Sequence, residues 1–388
     1  MHPQVSPGTT RPHITALDGL RGLAILLVIP HNADILEGTL SLPVAAAAHI
    51  MYAGWIGVQL FFVLSGYLIT SNLLDMRSAT NYFQTFFARR VLRIFPLYYL
   101  VLLLTFVAIP FAGLAPVALQ ETTHNQFWLW IFLSNWTQPY GENVTGFTHF
   151  WSLAVEEQFY LVWPFVIRFV APRRLIHVCL GLIATAIAVR TGMRLLGADP
   201  EAIYTFTICR MDALAIGAAA AVVMRGAHAR DIFAQREGQV LWGSFGLLIV
   251  GALVSKLYAA LNVVDQIIGY TILAAGFAGV LAMAVQPSVQ RAAWLVRALQ
   301  WRPLISCGRY SYAMYVVHLP LHVYVTKPLL LSTGIAVTPA VAFGYSVTVA
   351  LISFLIGMLS YHAFEKHFLR LKTHFRADRA PASASAPA

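Results

Sequence analysis

Two adjacent carboxylates, Glu156 and Glu157, sit near the start of an apolar run over residues 150–170 that is long enough to cross a bilayer. Each ionisable group at membrane depth costs about 2.5–3.5 kcal/mol on insertion, so a side-by-side pair there points to chemistry or to a substrate path. His31 lies in another apolar run, about fifteen residues beyond its inner boundary, which at 1.5 Å per residue is roughly 22 Å deep. The same ruler sets the two acids roughly 21–23 Å from the inner side, so the histidine and the carboxylates are expected to meet at one depth. A neutral imidazole held by a carboxylate takes a proton from a hydroxyl or thiol, because the carboxylate fixes the tautomer and stabilises the imidazolium. The plain alternative is a His–Glu hydrogen bond that only locks two helices together.

Arg21 near the inner end of the first run, and Arg89, Arg90 and Arg93 at the base of the third, form a second constellation. Guanidinium groups gathered on one face suit the phosphates of a nucleotide or a lipid headgroup. Charges that merely set topology and reach for the interface are the competing reading, strongest for Arg89. Arg210 and Asp212, flanking Met211, are expected to pair at the outer start of a later span and to line the same cavity. His318 and His322 are four apart with Pro320 between them. That spacing can ligate zinc, but with no third ligand in view it reads as packing or hydrogen bonding, and no metal site is expected. Cys179, Cys209 and Cys307 are odd in number and far apart, so no disulfide framework follows.

These groups must be held by membrane helices. The chain has 388 residues, 59% hydrophobic and 11% charged, far from a soluble composition. Its net charge of +10 could signal nucleic acid, but the basic residues fall at the ends of apolar segments, so no nucleic-acid partner is expected. Runs near 16–35, 50–72, 92–112, 150–170, 174–192, 211–226, 240–259, 266–285, 310–330 and 338–362 predict an all-α polytopic membrane protein with about ten transmembrane helices. With the N-terminus inside, about 21 of the 26 Lys and Arg, from Arg11 to Arg379, fall on the cytoplasmic side, and both termini are then cytoplasmic. Residues 1–15 read as a cytoplasmic segment, 16–370 as one membrane domain and 371–388 as a cytoplasmic, largely disordered tail. Phe127–Trp136 reads as an interfacial or re-entrant piece of an outer loop, 113–149, with Trp128, Trp130 and Trp136 at headgroup level; Asn135 and Asn143 open glycosylation sequons on it. Thr15 and Asp18 are spaced as a capping box, and Gly19 and Gly22 leave room for a neighbouring helix or a ligand.

The ordered set of motifs resembles the membrane-bound acyltransferase 3 family, the O-acetyltransferases of cell-envelope glycans. It comprises Leu17–Ala24 with His31, Gly57–Ile69, Arg89–Arg90 through Pro96, Phe150–Leu161, Arg210–Leu214, Gly308–Tyr312 with His318 and Pro320, and Glu365. The resemblance implies transfer of an acyl group, most often acetyl, from cytoplasmic acyl-CoA to a sugar hydroxyl of an exported or lipid-linked glycan in the inner (plasma) membrane. Acyl-CoA is then a cosubstrate, with no permanently bound cofactor. The resemblance matches His31 to the essential histidine, Arg21 to its paired arginine, Glu156 to an important acid, and Arg90 and Arg93 to a basic cluster. Glu157 is grouped with the catalytic residues, and Ser152, Arg210, Asp212 and His318 with acceptor binding or support. Two departures stand out: nine residues separate Arg21 from His31, one fewer than in the family pattern, with Pro30 expected to rewind the helix locally; and Gln59 replaces an Asp. A transporter or flippase of a glycan or lipid intermediate is the alternative, since intramembrane charges also mark substrate paths, but no paired repeat accompanies them. The acceptor, the oligomeric state and the choice between direct and covalent transfer are not encoded in any readable motif.

Overall fold

A computed structural model describes residues 14–36, 48, 51, 53–254, 261–286 and 290–378. Arg11, Arg379, most of the N-terminal segment and the end of the C-terminal tail lie outside the described residues. Those described form helices and no strand. The principal ones are α1 (Thr15–Asn32), α2 (Ile56–Asp75), α3 (Tyr82–Leu103), α4 (Trp151–Phe169), α5 (Leu175–Leu195), α6 (Thr207–Val223), α7 (Glu237–Val254), α8 (Tyr270–Val285), α9 (Arg302–Leu321) and α10 (Pro339–Ser360).

Six helices among the described residues are long and apolar enough to cross a membrane: Ala53–Asp75, Tyr82–Phe111, Pro172–Leu195, Pro200–Val223, Asp265–Val285 and Pro339–His374. They make this a multi-pass membrane protein. The four other expected runs are helical, as α1, α4, α7 and α9, but are not among the six. Charged residues interrupt α1, α4 and α9, and the apolar part of α7, Glu237–Leu253, is shorter than the rest.

The glycines of α1 make room for a helix. A methyl group on Gly22 would lie 2.0 Å from the Leu304 carbonyl oxygen, and one on Gly308 would lie 1.8 Å from that of Asp18. Backbone meets backbone, so α1 and α9 touch as closely as small residues allow. The expected capping box does not form: Ile14 is the N-cap, without a side-chain cap, and the Asp18 carboxylate is drawn to Arg21 three residues on, at 3.3 Å. Nor does Pro30 rewind the helix. α1 stays α-helical to Asn32, because a proline in the last turn displaces few backbone bonds.

Several arginines on the side read as cytoplasmic close helix ends, as cations at C-termini do. Arg77 donates to the Val170 carbonyl (2.8 Å) just past α4, Arg168 to the Arg77 carbonyl (3.1 Å), and Arg225 to the Ser71 carbonyl (2.8 Å) in the last turn of α2.

The segment 113–149 folds back onto the ends of α3 and α4. Tyr98 and Tyr99 donate to the carbonyls of Leu129 (2.7 Å) and Trp130 (3.1 Å), and Phe132 stacks on Tyr98 with ring centroids 4.3 Å apart. Tyrosine hydroxyls and Gln158 thereby satisfy carbonyls at and just past the end of a short helix, Phe127–Trp130, including that of Phe132 at 2.9 Å. Phe132 itself holds a left-handed φ of 56°, a conformation costing about 1–3 kcal/mol that buried packing must sustain. Trp136 is tied to Gln158 at 3.1 Å and packs on Phe206, and Asn135 is wholly buried, donating to the Thr205 carbonyl, so its sequon is closed to a glycosyl group.

Candidate active site

A cavity of about 110 Å³ lies between α1, α2, α3, α4 and α9. Helical periodicity aims three residues of α4 into it: Ser152, Glu156 and Tyr160, at steps of four, share one face. Arg21 from α1, and Arg90 and Arg93 from α3, border it near Tyr160, with the Arg90 guanidinium 4.9 Å above the Tyr160 ring. Near Ser152 the wall is Tyr315 from α9, and Ser65 of α2 lies between.

The cavity has a hydrogen-bonded spine. The Tyr160 hydroxyl donates to Glu156 Oε2 at 3.0 Å and is in close contact with Ser65 Oγ. A phenol has one proton, so with Glu156 ionised it is Ser65 that donates to Tyr160. Glu156 also interacts electrostatically with Arg90 and Arg21. Toward the other end, Ser152 Oγ lies 2.6 Å from the Tyr315 hydroxyl, which donates to the His149 carbonyl at 2.9 Å.

Behind Tyr315 stands a pair of buried imidazoles. His318 Nδ1 is 2.7 Å and His149 Nε2 is 2.9 Å from the same acceptor, the Tyr315 carbonyl oxygen, and the rings are 4.7 Å apart. A carbonyl only accepts, so both of those nitrogens carry hydrogen. In the neutral rings His318 Nε2 and His149 Nδ1 are then bare lone pairs, and neither has a hydrogen-bond partner among the described residues. His31, at the end of α1, is within electrostatic reach of His318 and packs against Gly54.

The depth argument for a His31–Glu156 dyad fails in this geometry. Glu156 faces Arg21, ten positions back along α1, whereas His31 stands with His318 at the far end. The ruler measured each helix from its own end and took both as upright, so an offset of a few turns passed unseen. Glu157, one residue and about 100° around α4 from Glu156, is not part of the cavity wall. It faces Arg90, Tyr98 and Tyr312. Arg89 also points elsewhere, donating to the Phe375 carbonyl at 2.7 Å.

The expected Arg210–Asp212 pair does not form either, because two residues on a helix point roughly 200° apart. Asp212 pairs with Arg190 of α5 at 2.8 Å, both wholly buried, and Thr271 bonds to each. Arg210 donates to Gln59 Oε1 at 2.7 Å, and Gln59 donates in turn to the Tyr270 carbonyl at 2.8 Å. The Arg210 guanidinium sits among Trp55, Phe62, Trp151, Tyr204 and Tyr270, 4.1–5.9 Å from their ring centroids. Neither Arg210 nor Asp212 borders the cavity. His322 bonds Tyr345 at 2.7 Å, so the two histidines four apart serve different partners.

A cavity walled by arginines, an acid and hydroxyls, with imidazoles behind Tyr315, fits acyl transfer, and comparison with known proteins agrees. Residues 14–358 match the acyltransferase 3 family, described as an acyltransferase domain. The chain belongs to that family. It is 29% identical to O-acetyltransferase OatA of Staphylococcus aureus over 340 residues, 81% of this chain and 51% of that protein. It is 28% identical to peptidoglycan O-acetyltransferase OatA of Listeria monocytogenes over 343 residues, 83% of this chain and 51% of that one. The putative peptidoglycan O-acetyltransferase YrhL of Bacillus subtilis is 27% identical over 373 residues, covering 91% and 54%. The chain spans about half the length of these curated relatives. No solved structure matches it.

Sequence reasoning passed over Ser65, Tyr160, Tyr315, His149 and Arg190. Tyr160 had a signal, being four residues beyond Glu156 on the same helix face. Arg190 had a stronger one, a lone arginine inside an apolar run.

Proposed function

We propose that the chain is an O-acetyltransferase of the inner (plasma) membrane, carrying acetyl from cytoplasmic acetyl-CoA to a hydroxyl of peptidoglycan or a related exported glycan. Ten crossings with both termini cytoplasmic complete the reading. The observation that carries it is the polarity of the cavity: Arg21, Arg90 and Arg93 at one end, and hydroxyls backed by histidines at the other. Guanidinium groups bind phosphates in forked geometry, which fits the nucleotide end of the donor. The pantetheine arm then threads past Ser65, Tyr160 and Glu156, and the thioester comes to rest toward Ser152 and Tyr315. His31 takes the proton of the acceptor hydroxyl as its oxygen bonds the thioester carbon; the carbon–sulfur bond breaks and the departing thiolate of CoA receives the proton. Glu156 keeps the arginines and Tyr160 in register, and Glu157 supplies counter-charge to Arg90.

The test is transfer from radiolabelled acetyl-CoA to peptidoglycan fragments by purified protein in nanodiscs, wild type beside His31→Ala and Glu156→Gln. Loss of the base is expected to slow transfer about 10²–10⁴-fold. Undiminished transfer in both variants overturns the assignment of the site, and glycan flux across vesicles without acetylation favours a transporter.

A further inference from the structure

Beyond Ser360, α10 does not stop. It passes through a π-helical turn, Tyr361–Glu365, into Lys366–Leu371 and a tight turn, Lys372–His374. A π turn inserts about one residue and rotates the helix beyond it. The chain then lies along the base of α3 in extended form. Arg89 Nε donates to the Phe375 carbonyl (2.7 Å), Asn81 Nδ2 to the Arg376 carbonyl (2.8 Å), and the Asp378 amide to Asn81 Oδ1 (3.0 Å).

This strap brings Lys372 within electrostatic range of Arg93, Arg90, Arg89 and Arg21, and every one of these interactions is repulsive. The carboxylates nearby are committed elsewhere: Asp18 to Arg21 at 3.3 Å, Glu365 to Ser360 at 3.0 Å and to Arg93, and Glu156 and Glu157 to Arg90. Among the described residues no ion pair satisfies Lys372. Like charges held together by backbone hydrogen bonds, beside the Arg21, Arg90 and Arg93 that border the cavity, form a site for a multiply charged anion.

We propose that the C-terminal strap completes the donor site, with Lys372 as a further phosphate-binding residue for the nucleotide end of acyl-CoA. This rests on the donor reading given above. The chemistry is additive: a pyrophosphate and a ribose phosphate carry more charge than the three cavity arginines neutralise, and a compact ammonium on a flexible stem supplies the remainder.

The experiment uses the full chain in nanodiscs, with Lys372→Met, Lys372→Arg, Asn81→Ala and Arg90→Met beside wild type. CoA and dephospho-CoA binding are measured by calorimetry, and kcat and KM with acetyl-CoA. Lys372→Met is expected to weaken CoA binding and raise KM roughly tenfold with kcat held, Lys372→Arg to restore binding, and Asn81→Ala to lie between. A smaller penalty with dephospho-CoA assigns Lys372 to the ribose phosphate, and an equal penalty assigns it to the pyrophosphate. Wild-type affinity in Lys372→Met while Arg90→Met loses CoA overturns the strap's role and leaves the donor reading intact. Absence of CoA binding by wild type overturns the donor reading itself.

Discussion

Two pairs of arginines in this protein have opposite surroundings. Arg190 and Arg210 are sealed: one is paired with Asp212 and held by carbonyls and Thr271, the other hydrogen-bonded to Gln59 and boxed by aromatic rings. Arg90 and Arg93 border open space, and their neighbours are other cations, one tyrosine face and the acids Glu156 and Glu157 of α4. A cation enclosed by partners inside the fold holds helices together. One left beside a void is poised for something that arrives.

Substitutions should therefore separate the groups by readout. The largest effect is expected at the sealed centre: Asp212→Ala strands a buried guanidinium, costing about 3–5 kcal/mol, so folded yield and melting temperature in detergent should collapse. Replacing Arg190 with Met in the same chain should recover part of the loss, because the orphan charge is gone. At the cavity, Arg90→Met should leave the melting curve in place while weakening acetyl-CoA binding about tenfold or more, as expected for a lost charge-assisted hydrogen bond of about 1.5–3 kcal/mol. A melting curve that falls as far for Arg90→Met as for Asp212→Ala breaks the distinction. The histidine pair sharpens it further. Asn at position 318 keeps a donor near the Nδ1 position but lacks a base, and Ala lacks both; transfer lost equally in the two, with folding lost only in Ala, marks a proton-handling role for His318. The smallest effect is expected for Tyr160→Phe, where one hydrogen bond to Glu156 disappears for about 0.5–1.5 kcal/mol, a few-fold change in transfer.

Positions along single helices were readable from the sequence, and relations between helices were not. The apolar runs located every principal helix, and the steps of four on α4 follow from periodicity alone. Arg21, Arg90, Arg93 and Glu156, picked out as chemistry, do border one cavity. The sequence carries no register between α1 and α4, so His31 and Glu156 were paired by a ruler that ignored offset. It carries no rotational sense either unless angles are counted, and counting them would have parted Arg210 from Asp212. Composition reads the aromatic stretch 127–136 as interfacial or re-entrant, and Tyr98, Tyr99 and Gln158 capture its backbone. Those hydroxyls and that amide decide its place, and composition does not report them.

The carbonyl oxygen of Tyr315 receives both His149 and His318. Two imidazolium rings 4.7 Å apart repel by on the order of 3–4 kcal/mol at an effective dielectric of about 20. The pair consequently resists a double charge: whichever ring accepted a proton from a passing group would hold its neighbour neutral.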